Sequence, residues 1–249
     1  MGKLVIIPTY NEKENISRIL ESIFSLQQDF HVLVIDDNSP DGTGAIVQAL
    51  MPVYPEQLFL EQRSGKLGLG TAYIHGFQWA IRRGYVYIFE MDADFSHNPK
   101  DLVRLYEACL KGADVAVGSR YVKGGRTENW PLDRNILSYG ASIYVRLVTW
   151  MPVKDATAGF VCYHRRVLEA IRLDEIQFVG YAFQIEMKFT AWKLGFKVVE
   201  VPITFVDRQK GQSKMNRGIV KEGILGVMKI QWQSLFRHYK RRVKSDDAA

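Results

Sequence analysis

Two carboxylates, Asp92 and Asp94, close a mainly β-branched and aromatic run that starts at Tyr85, and the chain then turns through Ser96, His97, Asn98 and Pro99. A run that short, bounded by turn residues, predicts a strand buried on both faces. Ligands of open α/β sheets sit outside the carboxyl ends of the strands, where two hard carboxylates can share a divalent cation completed by phosphate oxygens and water. That chemistry suits a nucleotide diphosphate. A second acidic turn, Asp36-Asp37-Asn38-Ser39-Pro40-Asp41-Gly42, follows the strand-like run His31 to Ile35. A third group is cationic: Ser119-Arg120 ends the run Asp114 to Gly118, and Arg134, Asn135 and Ser138 open a helical stretch beyond a glycine-bearing loop, Lys123 to Pro131. Arginines and a hydroxyl converging near a helix N-terminus make a phosphate site.

These residues need elements to hold them. Leu4 to Ile7 is an apolar run closed by Pro8, Thr9 and Tyr10, and Ile16, Ile19, Leu20 and Ile23 recur at helical spacing after Asn11-Glu12. Helix Gly44 to Leu50, strand Leu58 to Gln62 and a helix from about Thr71 to Arg83 precede the Asp92 strand. Strand alternating with helix predicts an α/β fold, a mostly parallel central sheet flanked by helices. Leu137 to Met151 reads as an apolar helix that covers the core or lies against lipid. Phe183 to Met187 reads as helical, and Val198–Val201 and Ile203–Val206 read as strands.

Composition excludes several classes. With 249 residues and 47% hydrophobic content the chain can bury a large core. The first turn lacks the G-x-G-x-x-G of a dinucleotide-binding dehydrogenase. Gly65-Lys66-Leu67-Gly68-Leu69-Gly70 lacks P-loop spacing, which leaves Lys66 as a candidate phosphate contact within a plain turn. Cys109 and Cys162 form neither a disulfide framework nor a metal cluster. The formal charge of +6 suits an anionic substrate or membrane surface and does not by itself argue for nucleic acid. With no leader segment ahead of Leu4 and no apolar run of spanning length, the expectation is a soluble or peripheral protein.

The motifs taken together resemble one family. Pro8-Thr9-Tyr10-Asn11-Glu12, Asp36 to Thr43, Asp92-Ala93-Asp94, Gly118 to Gly125 and Asn129-Trp130-Pro131 are similar, in order, to the polyprenol-phosphate (dolichol-phosphate) mannose synthases, which are inverting glycosyltransferases of the GT-A, Rossmann-like type. The resemblance runs from about Leu4 to Lys214. It implies GDP-mannose as donor, a polyprenyl or dolichyl monophosphate as acceptor, and a β-linked mannosyl phosphate lipid as product. By position it implies that Pro8, Tyr10 and Glu12 surround the guanine, with Ile35 and Asp37 beside the nucleoside. Tyr10 offers a stacking face, and a carboxylate can accept from the N–H donors of guanine. Asp92 and Asp94, with Ala93 between them, would bind Mg2+ or Mn2+ and the diphosphate. Ser96 stands where some members carry a further metal ligand, which leaves the third protein ligand open to water. An imidazole suits Mg2+ poorly, so His97 is read as loop structure. Arg120, Arg134 and Ser138 would bind the acceptor phosphate. Arg208 and Lys214, in a basic Gly/Ser loop, would close over the diphosphate as cationic clamps, and Glu186 would orient a loop or meet the sugar.

Two alternatives remain at this point: the same chemistry with UDP-glucose or another nucleotide sugar, and a non-catalytic basic scaffold or nucleic-acid binder on the same fold. The expected organisation is a catalytic domain over residues 1–216 and a C-terminal amphipathic, basic segment over 217–249. Its apolar positions through Trp232, Phe236 and Tyr239, followed by Arg237, Lys240, Arg241, Arg242 and Lys244, suit either a core-closing helix or one lying at a membrane interface. The localisation this implies is peripheral, at the cytoplasmic face of a membrane, or cytoplasmic.

Overall fold

The computed structural model describes residues 2–207, 217–237 and 239, with the side chains of 181, 217–222 and 224 excepted. Nine strands and eight helices alternate along the described chain. Strands β1 (Lys3–Thr9), β2 (Phe30–Asp36), β3 (Leu58–Gln62), β4 (Tyr87–Glu90), β5 (Val115–Ser119), β7 (Val161–His164) and β8 (Val198–Pro202) form one sheet in the order β3-β2-β1-β4-β7-β5-β8. All pairs are parallel except those of β7, which runs antiparallel to β4 and β5.

That single reversal matters for the site. The six parallel strands bring their carboxyl ends to one edge, and β7, running the other way, begins there. The segment leading into β7 therefore meets the residues that follow β5.

Helices α1 (Ile16–Phe24), α2 (Thr43–Leu50) and α4 (Asp101–Leu110) belong to one face, and α3 (Leu69–Arg82), α6 (Arg165–Ala170) and α7 (Tyr181–Lys193) to the other. Side chains alternate across the strands accordingly: Val5, Ile7, Val32 and Val34 pack beneath α1, while Leu4, Ile6, Leu33 and Ile35 pack beneath α3. Gly76 of α3 is required by closeness, because a Cβ there would stand 2.8 Å from Ile6.

The stretch expected as a loop between Lys123 and Pro131 contains strand β6 (Arg126–Glu128), which pairs in parallel with β9 (Thr204–Val206) as a second, two-stranded sheet. Helix α5 (Leu132–Thr149) follows it. Helix α8 (Arg217–Ser234) packs on α5 and α7, and Val145, Met151, Ile185, Phe189, Val227 and Ile230 share a third, smaller core there.

Candidate active site

At the carboxyl edge of the sheet three turns each use a left-handed residue to reverse the chain tightly: Asn11 (φ 59°) after β1, Asn38 (φ 56°) after β2 and Phe95 (φ 61°) after β4. Asparagine tolerates that region through local hydrogen bonding; phenylalanine does so only where the surroundings impose it. At Phe95 the result is that the Ser96 N–H donates to Asp94 Oδ1 at 3.0 Å, aiming a buried carboxylate at the strand end. His97 completes the turn, its Nδ1 accepting from the Asp92 N–H at 3.3 Å and its ring stacked on Phe160 at 4.8 Å. Burial pushes its pKa down to about 4, against the pull of Asp94, so it is a neutral structural group.

The β2 turn is built differently. Asp36 is consumed by local bonds, accepting from the Thr9 hydroxyl at 2.8 Å, the Ser39 hydroxyl at 2.6 Å and the Ser39 N–H. Asp41 accepts from the Thr43 hydroxyl and from the Lys13 and Thr43 N–H groups, which hold its carboxyl below the usual range against the opposing effect of burial. Asp37 is left for a different partner: Arg63, just after β3, donates through Nε at 2.6 Å, and the pair is almost fully buried. Arg63 also reaches the Thr71 hydroxyl and the Gly68 carbonyl, so it ties Asp37 to the start of α3. Pro8 lies in β1 opposite Ile35, and the Glu12 carboxylate accepts from Asn15.

Ile35 is fully buried in the core beneath α3, so only its backbone is available to a nucleoside. Lys66 sits over the Tyr10 ring, 5.1 Å from its centroid.

On the other side of β4, Arg120 follows β5 and is gripped by Asp155, from the segment entering β7. Nε donates to Oδ2 at 2.7 Å, Nη2 to Oδ1 at 2.6 Å, and the Arg120 backbone N–H to Oδ2 at 2.9 Å. Thr157 accepts a further bond from Nη2. Gly125 makes this possible, because a Cβ there would overlap the Ser119 and Arg120 backbone. Arg134, in the first turn of α5, donates to Asp207 at 2.8 Å and lies 4.1 Å from the Trp130 ring, against which Arg120 also packs. Ser138 accepts from the Tyr121 hydroxyl at 2.7 Å. A row of aromatic contacts, Phe160 to His97 to Phe205 to Trp130, joins the Asp92–Asp94 turn to this cationic half. Arg120, Arg134 and Ser138 are thus brought to one region, with Arg120 buried and its charge compensated by Asp155.

Residues 4–172 match the family model described as glycosyl transferase family 2. The chain belongs to that family. It is 47% identical over 224 residues to the polyprenol monophosphomannose synthase of Mycolicibacterium smegmatis, covering 90% of this chain and 84% of that protein. It is 44% identical over 239 residues to the undecaprenyl-phosphate mannosyltransferase of Micrococcus luteus, covering 94% and 98%. Among solved structures, a mannosyltransferase from Pyrobaculum calidifontis in complex with GDP-Man and Mn2+ superposes with a TM-score of 0.57 at 18% identity, over 96% of this chain and 65% of that one. At that identity the likeness is one of fold.

Beneath the glycosyltransferase's acidic turn lies a group of residues the motifs did not reveal. Glu90, the last residue of β4, is fully buried, and neither carboxyl oxygen meets a donor at hydrogen-bond geometry. Burial pushes its pKa up to about 8, with Lys188 and Gln184 of α7 drawing it back and Asp92 adding to the rise. Lys188, equally buried, donates to the Ala158 carbonyl at 2.6 Å and to Gln184 Oε1 at 3.2 Å, and burial draws its pKa down to about 8 against the opposing charge of Glu90. The signal was present as an acid inside an apolar strand and a lysine inside an apolar helix. Glu186 instead caps backbone, accepting from the Gln177 and Phe178 N–H groups. Arg208, Lys214 and the basic residues from Lys240 onward lie outside the described residues.

Among the described residues no group of three or more His, Cys, Asp and Glu forms a metal cluster. Asp92 and Asp94 offer hard oxygen donors at the strand edge, a donor set that fits a divalent ion sharing its remaining positions with diphosphate and water.

Proposed function

We propose that this glycosyltransferase moves mannose from GDP-mannose to a polyprenyl monophosphate with inversion, giving polyprenyl phosphate β-mannose and GDP. The observation that carries the reading is the arrangement of two half-sites on one sheet edge. Tyr10, Asp37 and the Asp92–Asp94 turn stand on the side of β1, β2 and β4, and Arg120, Arg134 and Ser138 stand beyond β7, in a chain 47% identical to a polyprenol monophosphomannose synthase.

On the donor side, Tyr10 supplies a stacking face, and Asp37, oriented by Arg63, and Glu12 supply acceptors for the N–H edge of guanine. Asp92 and Asp94 would hold Mg2+ or Mn2+, which when bound neutralises charge on the departing diphosphate. Arg208 and Lys214 are assigned to the same charge from the basic loop.

On the acceptor side, a phosphate monoester oxygen is already anionic near neutral pH, so attack at the anomeric carbon requires no strong general base. Positioning is the task that remains. Arg134, exchanging Asp207 for phosphate, and the Ser138 hydroxyl are the ligands within reach of an incoming anion, and Arg120 holds Trp130 and Tyr121 in place beneath them. A single displacement inverts the configuration. The acceptor places the reaction at a membrane surface, and we assign the enzyme a peripheral position on its cytoplasmic face. No helix of the described residues is long and apolar enough to cross a membrane.

The test is GDP release from GDP-mannose with Mn2+, with and without a polyprenyl phosphate, and the anomeric form of the product. Acceptor-dependent release with a β-linked product is expected. Stronger competition by UDP than by GDP for the donor site would instead favour UDP-glucose or another uridine donor.

A further inference from the structure

The chain from Met151 to Phe160 is neither helix nor strand, yet Asp155 and Ala156 within it are fully buried. Backbone polar groups buried without a ladder need partners from elsewhere. Here the partners come from two elements remote in sequence. Glu200, in β8, accepts from the Lys154 N–H at 2.8 Å and from the Asp155 N–H at 2.9 Å, one through each carboxylate oxygen. Lys188, fully buried in α7, donates to the Ala158 carbonyl at 2.6 Å. Between these two anchors the Ala158 N–H closes a turn onto the Asp155 carbonyl at 3.3 Å.

The residue held between the anchors is Asp155, whose carboxylate takes three bonds from Arg120. Arg120 in turn packs 5.0 Å from the Tyr121 ring and 5.4 Å from the Trp130 ring. Tyr121 donates to Ser138, and Arg134 lies over Trp130. Direct contacts therefore run at every step from Lys188 and Glu200 to the two acceptor residues. Stability by itself is a poor reason for such anchors, because buried charges are often replaced by apolar residues without loss. Burial works against the charge of Lys188, and Glu90, Asp155 and Glu200 favour it. A satisfied polar network supplies direction: it fixes one arrangement of a segment that apolar packing would leave free to shift.

We propose that Lys188 and Glu200 are positioning residues for the acceptor phosphate, fixing the two ends of the 154–158 segment and, through Asp155 and Arg120, setting where Arg134 and Ser138 stand. The proposal rests on the acceptor assigned above and adds two residues that do not touch it.

Four variants are compared with wild type by calorimetry, using a short, water-soluble isoprenyl phosphate and GDP with Mn2+ as separate titrants, and by steady-state kinetics. Glu200→Ala removes both acceptors at one end of the segment, and Glu200→Gln keeps one of them. Glu90→Gln/Lys188→Met removes the donor at the other end without stranding a charge, and Glu90→Gln alone leaves Lys188 on the Ala158 carbonyl. Glu200 is partly exposed on the edge strand β8, so its variants decide the matter even where the double variant fails to fold. Glu200→Ala and the double variant are expected to bind the isoprenyl phosphate about tenfold or more weakly and to raise the acceptor KM to match. Glu200→Gln should fall between, and Glu90→Gln should bind the isoprenyl phosphate as wild type does. Affinity for GDP with Mn2+ should be unchanged in both Glu200 variants. Leu168→Ala, which opens a cavity in α6 at the opposite edge of the sheet, should lower the melting temperature with the acceptor KM unchanged, separating positioning from loss of stability. Undiminished isoprenyl phosphate binding in folded Glu200→Ala or in the folded double variant would overturn the proposal, and so would an equal loss of GDP binding in Glu200→Ala. Wild type that binds no isoprenyl phosphate would overturn the acceptor reading and the proposal with it, whereas wild type and variants that bind it equally would overturn the proposal alone.

Discussion

Asp155 and Arg120 face each other as a bidentate pair, 2.7 and 2.6 Å apart, in a site where the carboxylate is fully buried and the guanidinium nearly so. Removing one member of such a pair leaves the other charge uncompensated, which costs about 3–5 kcal/mol. Asp155→Ala is therefore expected to lower stability by that order in urea unfolding. Asp155→Asn keeps the shape without the charge. The Arg120 charge is still uncompensated there, so this variant too should melt below wild type, and the folded protein should show a raised acceptor KM with donor KM little changed, since Arg120 positions Trp130 and Tyr121. An unchanged acceptor KM in a folded Asp155→Asn protein would remove the positioning role.

Asp94 is buried and aimed by the Ser96 N–H. Asp94→Asn is expected to reduce turnover by about 100-fold or more while the fold survives. Chelator should abolish wild-type activity, with Mg2+ or Mn2+ restoring it. Full activity of the variant, or of the chelated enzyme, would dissolve the metal assignment.

Lys188 and Glu90 are both buried beneath the acidic turn. Lys188→Met alone strands the Glu90 carboxyl and the Ala158 carbonyl and should cost several kcal/mol, on the order of 3–5. Because neutral isosteres of a buried pair are often tolerated as well as the pair itself, Glu90→Gln/Lys188→Met should recover most of that loss in thermal unfolding. A double variant no more stable than Lys188→Met would mean that the two residues are not energetically coupled.

Alkaline stability should depend on Tyr85, whose hydroxyl meets His31 Nδ1 at 2.7 Å. Burial pushes its pKa up to about 12, partly opposed by Arg83 and assisted by Asp29. Between about pH 10, where the unfolded chain releases this proton, and about pH 12, where the folded one does, the folded state holds more protons. Stability from this group is thus complete below pH 10 and declines as pH rises through that window. Denaturant titrations at pH 9 and pH 11.5 should show a smaller loss for Tyr85→Phe than for wild type, and equal losses would exclude Tyr85 as a source of the slope.

The sequence by itself determined the alternation of strands and helices and the acidic turn at Asp92 and Asp94 that ends a strand. Periodicity is a local property, and turn residues act on their own backbone, so both are legible without knowing what packs where. Its boundaries mostly came within two or three residues: Gly44 to Leu50 became Thr43–Leu50, and Leu58 to Gln62 stood unchanged. What it could not determine was pairing between segments far apart in the chain. The antiparallel entry of β7, and with it the grip of Asp155 on Arg120 across 35 positions, exists only once β7 lies between β4 and β5. The same holds for Arg63 on Asp37, for Lys188 beside Glu90, and for strand β6 in what reads as a loop, because its partner β9 comes more than seventy residues later. Helix α5 reads as apolar by composition, but which of its apolar residues are core and which face outward is set by where α7 and α8 pack, and that is a property of the assembled fold.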